Sequence, residues 1–196
     1  MNVGLYFGSF NPVHTGHLII ANHIANSGQL DEVWLVISPQ NPFKISSSLL
    51  NENDRFFLVQ EAIEGEKKLK VSKVEFMLPR PSYTIDTLTY LKEKYPDHSF
   101  HIIMGSDSFQ NLEKWKNGKL IASTYPIILY KRSGFEINNT LNAQITIADA
   151  PLIEISSTRI RDMVSRGLSV RYLVPDKVQE EIERNNYFRQ LKNPAN

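Results

Sequence analysis

The sequence has 196 residues, 41% of them hydrophobic, with no low-complexity tract, which suits a single globular domain with a full core. Its 22 basic and 21 acidic residues leave a net charge of +1, too little for a general attraction to nucleic acid or an anionic membrane. Without cysteine, disulfides, thiolate catalysis and cysteine-based zinc sites are excluded. Met1 leads directly into a strand-like stretch, and no apolar run reaches the ~18–20 residues of a membrane span. The expectation is a cytoplasmic protein without nucleic-acid or membrane partners, whose phosphate recognition, if any, is local.

In chain order, residues 3–7 read as a buried strand ending at Gly8. Leu18, Ile20, Ala21, Ile24 and Ala25 then recur at helical spacing, with Gly28 as a stop. Residues 33–37 form a second buried strand, closed by Ser38 and Pro39, and 39–50 read as a loop. Asn51 is placed to cap a helix whose apolar face carries Phe56, Phe57, Val59, Gln60 and Ile63. A third strand is predicted over 71–77, a helix over 84–95 and a fourth strand over 100–104. Ser106 or Asp107 opens another helix, and later strands fall at 127–130 and 145–147. From Ser157 onward the chain reads as helical, with a break at Val174 and Pro175.

This alternation predicts an α/β fold, a doubly wound parallel sheet with helices on both faces. One domain is expected over residues 1–190, with 191–196 as a flexible tail. In such sheets ligands bind beyond the carboxyl ends of the strands. Three segments fall there: 8–17, 39–44 and 105–107.

The first of them, Gly8-Ser9-Phe10-Asn11-Pro12-Val13-His14-Thr15-Gly16-His17, joins a strand to a helix. Gly8 permits a tight turn, and the helix start offers unpaired N–H groups and a positive dipole end suited to phosphate. His14 and His17, three apart, can share one face, and Gly16 removes a side chain that would crowd a phosphate. The bland alternative is that one histidine caps the helix while the other faces solvent. Neither the dinucleotide fingerprint nor the P-loop is present, and a metal reading is weaker, because no third ligand lies nearby in the sequence. His23, His98 and His101 lack any such context and read as surface or structural residues.

This segment resembles the signature of the HxGH nucleotidyltransferase superfamily, most closely its bacterial nicotinate-mononucleotide adenylyltransferases. Phe7, Ser9 and Asn11 stand where Gly, Thr and Asp are common in that family. The similarity continues along the chain. Asn41-Pro42-Phe43-Lys44 resembles a family loop whose lysine reaches the triphosphate. Independently, a lysine on a proline-stiffened loop beyond a strand suits phosphate. Ile155-Ser156-Ser157-Thr158-Arg159-Ile160-Arg161 is similar to the family's serine-rich motif, in which the cap and Arg159 hold ATP phosphates. A base in a first helical turn opposes the dipole unless an anion is present, whereas Arg161 reads as a surface salt bridge. Pro81-Ser82-Tyr83-Thr84-Ile85-Asp86-Thr87-Leu88 resembles the stretch whose backbone receives the pyridine carboxylate, and Thr84 is also placed to cap a helix. Gly105-Ser106-Asp107 is similar to a ribose-binding turn, and Trp115 to a tryptophan that stacks on the pyridine. Trp34 reads as strand packing.

The resemblance implies adenylyl transfer from ATP to nicotinate mononucleotide in NAD biosynthesis, with Mg²⁺ arriving on the ATP. It assigns His14, His17, Lys44 and Arg159 to catalysis. ATP is taken by Gly8, Ser9, Phe10, Gly16, Gly105, Asp107, Ile155, Ser156, Ser157 and Thr158 together with those two histidines and Arg159. The mononucleotide is taken by Ser9, Asn11, Lys44, Ser82, Tyr83, Thr84, Asp107 and Trp115. Two other readings are phosphopantetheine adenylyl transfer, which leaves the Ser82–Thr84 stretch and Trp115 without a role, and a regulator that binds nucleotide without turnover. A homo-oligomer is compatible with the sequence, which does not fix the oligomeric state.

Overall fold

The computed structural model describes residues 1–40 and 49–189; Lys44 and the expected tail at 191–196 lie outside the described residues. In chain order the elements are β1 (Asn2–Gly8), α1 (Thr15–Ala25), β2 (Glu32–Ile37), α2 (Glu52–Ala62), β3 (Leu69–Ser72), α3 (Thr84–Lys94) and β4 (Ser99–Gly105). They continue with α4 (Ser106–Phe109), α5 (Gly118–Thr124), β5 (Ile127–Tyr130), β6 (Ile145–Ala148), α6 (Ser157–Ser165) and α7 (Asp176–Arg184). Among the described residues the strands form one six-stranded sheet in the order β3-β2-β1-β4-β5-β6, parallel throughout. The expected doubly wound α/β architecture is what the chain adopts.

Alternation along the central strands divides the core. Val3 and Leu5 of β1 point to one side, with Ile85, Leu88 and Leu91 of α3 and Ile121 of α5. Tyr6 of β1 and Leu35 and Ile37 of β2 point to the other, with Ile24 of α1, Leu58 of α2, Ile160 of α6 and Val178 of α7. Each fully buried leucine or isoleucine contributes roughly 1.5–3 kcal/mol. Strand order reverses between β1 and β4, both of which end at a glycine, Gly8 and Gly105. A crevice opens at that switch point in folds of this kind.

Three local expectations are corrected. The predicted strand over 71–77 stops at Ser72, and Val74–Met77 is a 3₁₀ turn. Val74 and Glu75 are both buried in that turn. In α2 the buried residues are Arg55, Leu58 and Val59, while Phe57 is 44% exposed. The position before α3 is Tyr83, without a side-chain cap, and Thr84 is the first helical residue rather than the cap. Asn51 does cap α2, accepting from the Asn53 N–H at 2.8 Å.

Candidate active site

The loop after β1 is built around an aromatic wedge. Phe10, at φ 46°, takes a left-handed conformation at the turn, and its ring is buried. Gly8 makes room for it: a Cβ there would lie 2.8 Å from the Phe10 Cζ. The ring meets Tyr6 edge-on at 5.7 Å and His17 at 5.0 Å between centroids.

His14 and His17 close the start of α1 as a reciprocal pair. The His17 N–H donates to His14 Nδ1, and the His14 N–H donates to His17 Nδ1, each at 3.3 Å. Both histidines therefore cap, and the rings stack at 3.6 Å with 22° between planes. Because each Nδ1 accepts a proton-bearing group, the proton of a neutral ring sits on Nε2. Two Nε2–H donors thus stand side by side. Gly16 permits the stack, since a Cβ at that position would press within 3.1 Å of His14 Nδ1 and 3.2 Å of Ile153.

His14 is 4% exposed. Burial pushes its imidazole down to about 4, the charge of Arg132 acts in the same direction, and a backbone hydrogen bond opposes them. At neutral pH the ring is an uncharged donor. In the unfolded chain it takes up a proton near the ordinary value of about 6.5. Stability linked to His14 is therefore complete above about 6.5, is lost as pH falls towards about 4, and levels off below. The loss amounts to roughly 3 kcal/mol. An asparagine can cap through its side-chain oxygen without titrating. Thermal melts of His14→Asn should accordingly fall less steeply over this range than those of the parent chain, and parallel curves would remove His14 as the cause.

Two clefts flank this loop. The larger, about 600 Å³, opens at the switch point and brings together Gly8, Ser9, Ser82, Tyr83, Thr84, Gly105, Asp107 and Trp115. These come from four separate stretches, and sequence reasoning placed all of them in one site. The smaller, about 430 Å³, is lined by Ile155, Ser156 and Arg159 with Arg171 and Tyr172. Ser156 caps α6, accepting from the Arg159 N–H at 3.2 Å. Phe10, Asn11, His14, Gly16, His17, Ser157 and Thr158 line neither cleft. Ser157 Oγ donates to the Pro12 carbonyl at 2.9 Å, and the Thr15 N–H donates to the Leu173 carbonyl at 2.9 Å.

Asn11 is buried; its side-chain oxygen accepts from the Leu50 N–H at 3.2 Å. Arg161, expected in a surface ion pair, instead donates to the Asn11 carbonyl at 2.8 Å and to Thr158 Oγ1 at 3.3 Å. It ties α6 to the histidine loop. Trp34 packs as expected, edge-on to Tyr95 at 5.7 Å.

Several residues escaped the sequence reading. Arg132, after β5, lies over the Tyr130 ring at 5.4 Å, with its Nε 3.9 Å from Asp107. Its N–H donates to Ser106 Oγ at 2.9 Å. Lys116 Nζ donates to Asp86 at 2.8 Å and sits 4.8 Å from the Tyr83 ring centre, on the cleft wall. Buried Arg55 and Glu75 stand directly behind the loops. A basic residue two after a strand end was the available signal for Arg132; Lys116, flanking Trp115, had none beyond its position.

A parallel sheet with a cleft over its switch point and a paired-histidine helix start suits an α/β protein that binds a nucleotide beyond its strand ends. The chain belongs to the cytidylyltransferase-like family, whose model matches residues 5–163. It is similar to the probable nicotinate-nucleotide adenylyltransferase of Flavobacterium johnsoniae, 46% identical over 96% of this chain and all of that one. The protein of the same name from Cytophaga hutchinsonii is 48% identical over 96% of this chain and 98% of its own. Its fold matches the Plasmodium falciparum nicotinic acid mononucleotide adenylyltransferase complexed with NaAD, with a TM-score of 0.82 at 21% identity, covering 95% and 97% of the two chains.

Proposed function

We propose that this chain transfers the adenylyl group of ATP to nicotinate mononucleotide, giving nicotinate adenine dinucleotide and pyrophosphate. The observation that carries this reading is identity of 46–48% to relatives of that name over almost their whole length. In the reaction a 5′-phosphate oxygen of the mononucleotide attacks the α-phosphorus of ATP. The bond from that phosphorus to the bridging oxygen of the β-phosphate breaks, and pyrophosphate leaves. No protein nucleophile is needed, so the chain's work is alignment and stabilisation of charge on the transferring phosphate.

The two Nε2–H groups of His14 and His17 are suited to the α- and β-phosphate oxygens. Arg159 and Lys44 take the departing pyrophosphate, with Ile155 and the hydroxyls of Ser156, Ser157 and Thr158 framing that end. Gly8, Ser9 and Phe10 shape the turn beneath the phosphates, and Asn11 holds it. Gly105 and Asp107 serve ribose, and Trp115 the pyridine ring. The start of α3, which no side chain caps, leaves N–H groups near Tyr83 and Thr84 for the pyridine carboxylate. Mg²⁺ enters as the companion of ATP. Among the described residues no group of three or more His, Cys, Asp or Glu is arranged to hold a metal. Residues 1–190 serve as the one transferase domain.

The test is product formation with ATP and each of three acceptors: nicotinate mononucleotide, its amide counterpart and phosphopantetheine. An N–H at the pocket can donate to either carboxylate oxygen but meets an amide NH₂ donor to donor, leaving both unpaired at about 1–3 kcal/mol. The acid is therefore expected to exceed the amide about tenfold or more in kcat/KM. Equal use of the two would sink the carboxylate pocket. Absence of any dinucleotide would overturn the activity itself, and transfer to phosphopantetheine alone would replace it.

A further inference from the structure

Behind the Ser82–Thr84 stretch lies a carboxyl group that adenylyl transfer does not require. Glu75, in the 3₁₀ turn after β3, is 1% exposed yet contributes to the wall of the larger cleft, beside Ser38 and Ser82. Its Oε1 accepts from Thr87 Oγ1 at 2.9 Å, which couples it to the first turns of α3. Its Oε2 and the Ser82 Oγ are both out of solvent, and neither meets full hydrogen-bond geometry with a described residue. The Ser82 N–H donates to the Gln40 carbonyl at 3.2 Å, so the same stretch is also moored to the segment that follows β2.

The groups facing this carboxyl are hydroxyls: Thr87 from α3, Ser82 from the stretch before it, and Ser38 from the end of β2. Charged neighbours are engaged elsewhere. Arg55 of α2 donates to the Ser38 and Pro39 carbonyls, and Lys116 pairs with Asp86 of α3. Among the described residues, then, no cation compensates Glu75. Burial raises its carboxyl above the ordinary range, and the three hydroxyls only partly offset that. A protonated Glu75 is a neutral wall for an acidic ligand; an ionised one is a like charge in a dry site.

We propose that Glu75 is a positioning and specificity-determining residue, which holds the Ser82–Thr84 stretch in its uncharged form and, once ionised, disfavours the acidic mononucleotide relative to the amide. The inference rests on the proposed adenylyl transfer and adds a charge state to it. The amide, carrying no charge on its ring, would not feel the change.

The experiment is competition between the two mononucleotides under limiting ATP, from about pH 5 to about pH 9. The ratio of products cancels whatever both substrates share, including titration of their phosphates, of ATP and of the histidines. For the parent chain the acid-to-amide ratio should fall roughly tenfold as pH rises through the raised pKa of Glu75. In Glu75→Gln, which keeps the shape and the Thr87 contact, the ratio should be flat and near the parent's low-pH value. A flat parent ratio, or the same slope in Glu75→Gln, would overturn the proposal while dinucleotide formation still upheld the activity. Should Glu75→Gln fold poorly, the parent profile alone still decides, and Thr87→Val should move its midpoint because it removes the donor to Oε1. An unmoved midpoint in Thr87→Val counts against Glu75 as the titrating group.

Discussion

Replacing His17 with alanine is expected to lower turnover by roughly 10²–10³, the cost of one donor to charge developing in a transition state. The His14–His17 pair makes the prediction more specific. The same ring accepts the His14 N–H at 3.3 Å, so alanine also loosens the helix start. A lost cap costs roughly 0.5–2 kcal/mol of stability, which a domain of this size survives. His17→Asn separates the two effects, because its shorter side chain can accept at the cap but does not carry the Nε2–H. If the transition-state reading holds, both variants lose kcat and kcat/KM by similar factors, and only alanine also loses melting temperature. His14→Ala should match His17→Ala, since stacked rings at 3.6 Å present their donors together. Near-normal turnover in both alanine variants would mean that the pair only caps the helix.

What the sequence made legible follows from how local each signal is. The strands were readable because a buried parallel strand is a run of apolar residues, as at Glu32–Ile37. Gly8, Ser9, Gly105 and Asp107 were readable because they follow strand ends, where the fold leaves backbone uncovered, whereas Ser82–Thr84 and Trp115 were placed by the resemblance alone. Both histidines stood out by spacing, but their reciprocal cap did not. It requires each Nδ1 to reach the other's N–H, a matter of rotamer rather than pattern. Glu75 lay inside the strand predicted over 71–77, in the run Val74-Glu75-Phe76-Met77, where nothing in the pattern singled it out. It turns inward because Thr87, a dozen residues on, offers it a donor. Arg55 was missed in the same way. The apolar face of α2 was drawn through Phe56 and Phe57, but the buried positions 55, 58 and 59 follow helical spacing that starts on an arginine. A charge on a core stripe is invisible to a reading that counts only apolar residues.

That arginine carries the second large prediction. Arg55 is 0% exposed, and it donates to four carbonyls: Leu50 at 3.0 Å, Ser9 at 2.6 Å, Ser38 at 2.8 Å and Pro39 at 3.1 Å. Two of these lie just after β2, one in the loop after β1, and one before α2. A single guanidinium thus fixes the spacing between the two loops that border the larger cleft. Burial draws it down to about 10, so it remains charged at neutral pH, and Glu52 acts on it only through space. Arg55→Ala would strand several carbonyls and open a cavity, at a cost of about 3–5 kcal/mol. Arg55→Met fills the volume without donors and should recover only part of that. Arg55→Lys keeps the charge but cannot span the carbonyls with one ammonium, so it should fall between methionine and the parent. Urea unfolding midpoints would give this order, and a loss below about 1 kcal/mol in alanine would refute the hub. Well below their melting temperatures, the same variants should lose turnover with the acid and the amide alike. The loops that Arg55 holds carry Ser9 and the approach to His14, and a shift of about 1 Å there misaligns the attacking phosphate whichever ring it bears.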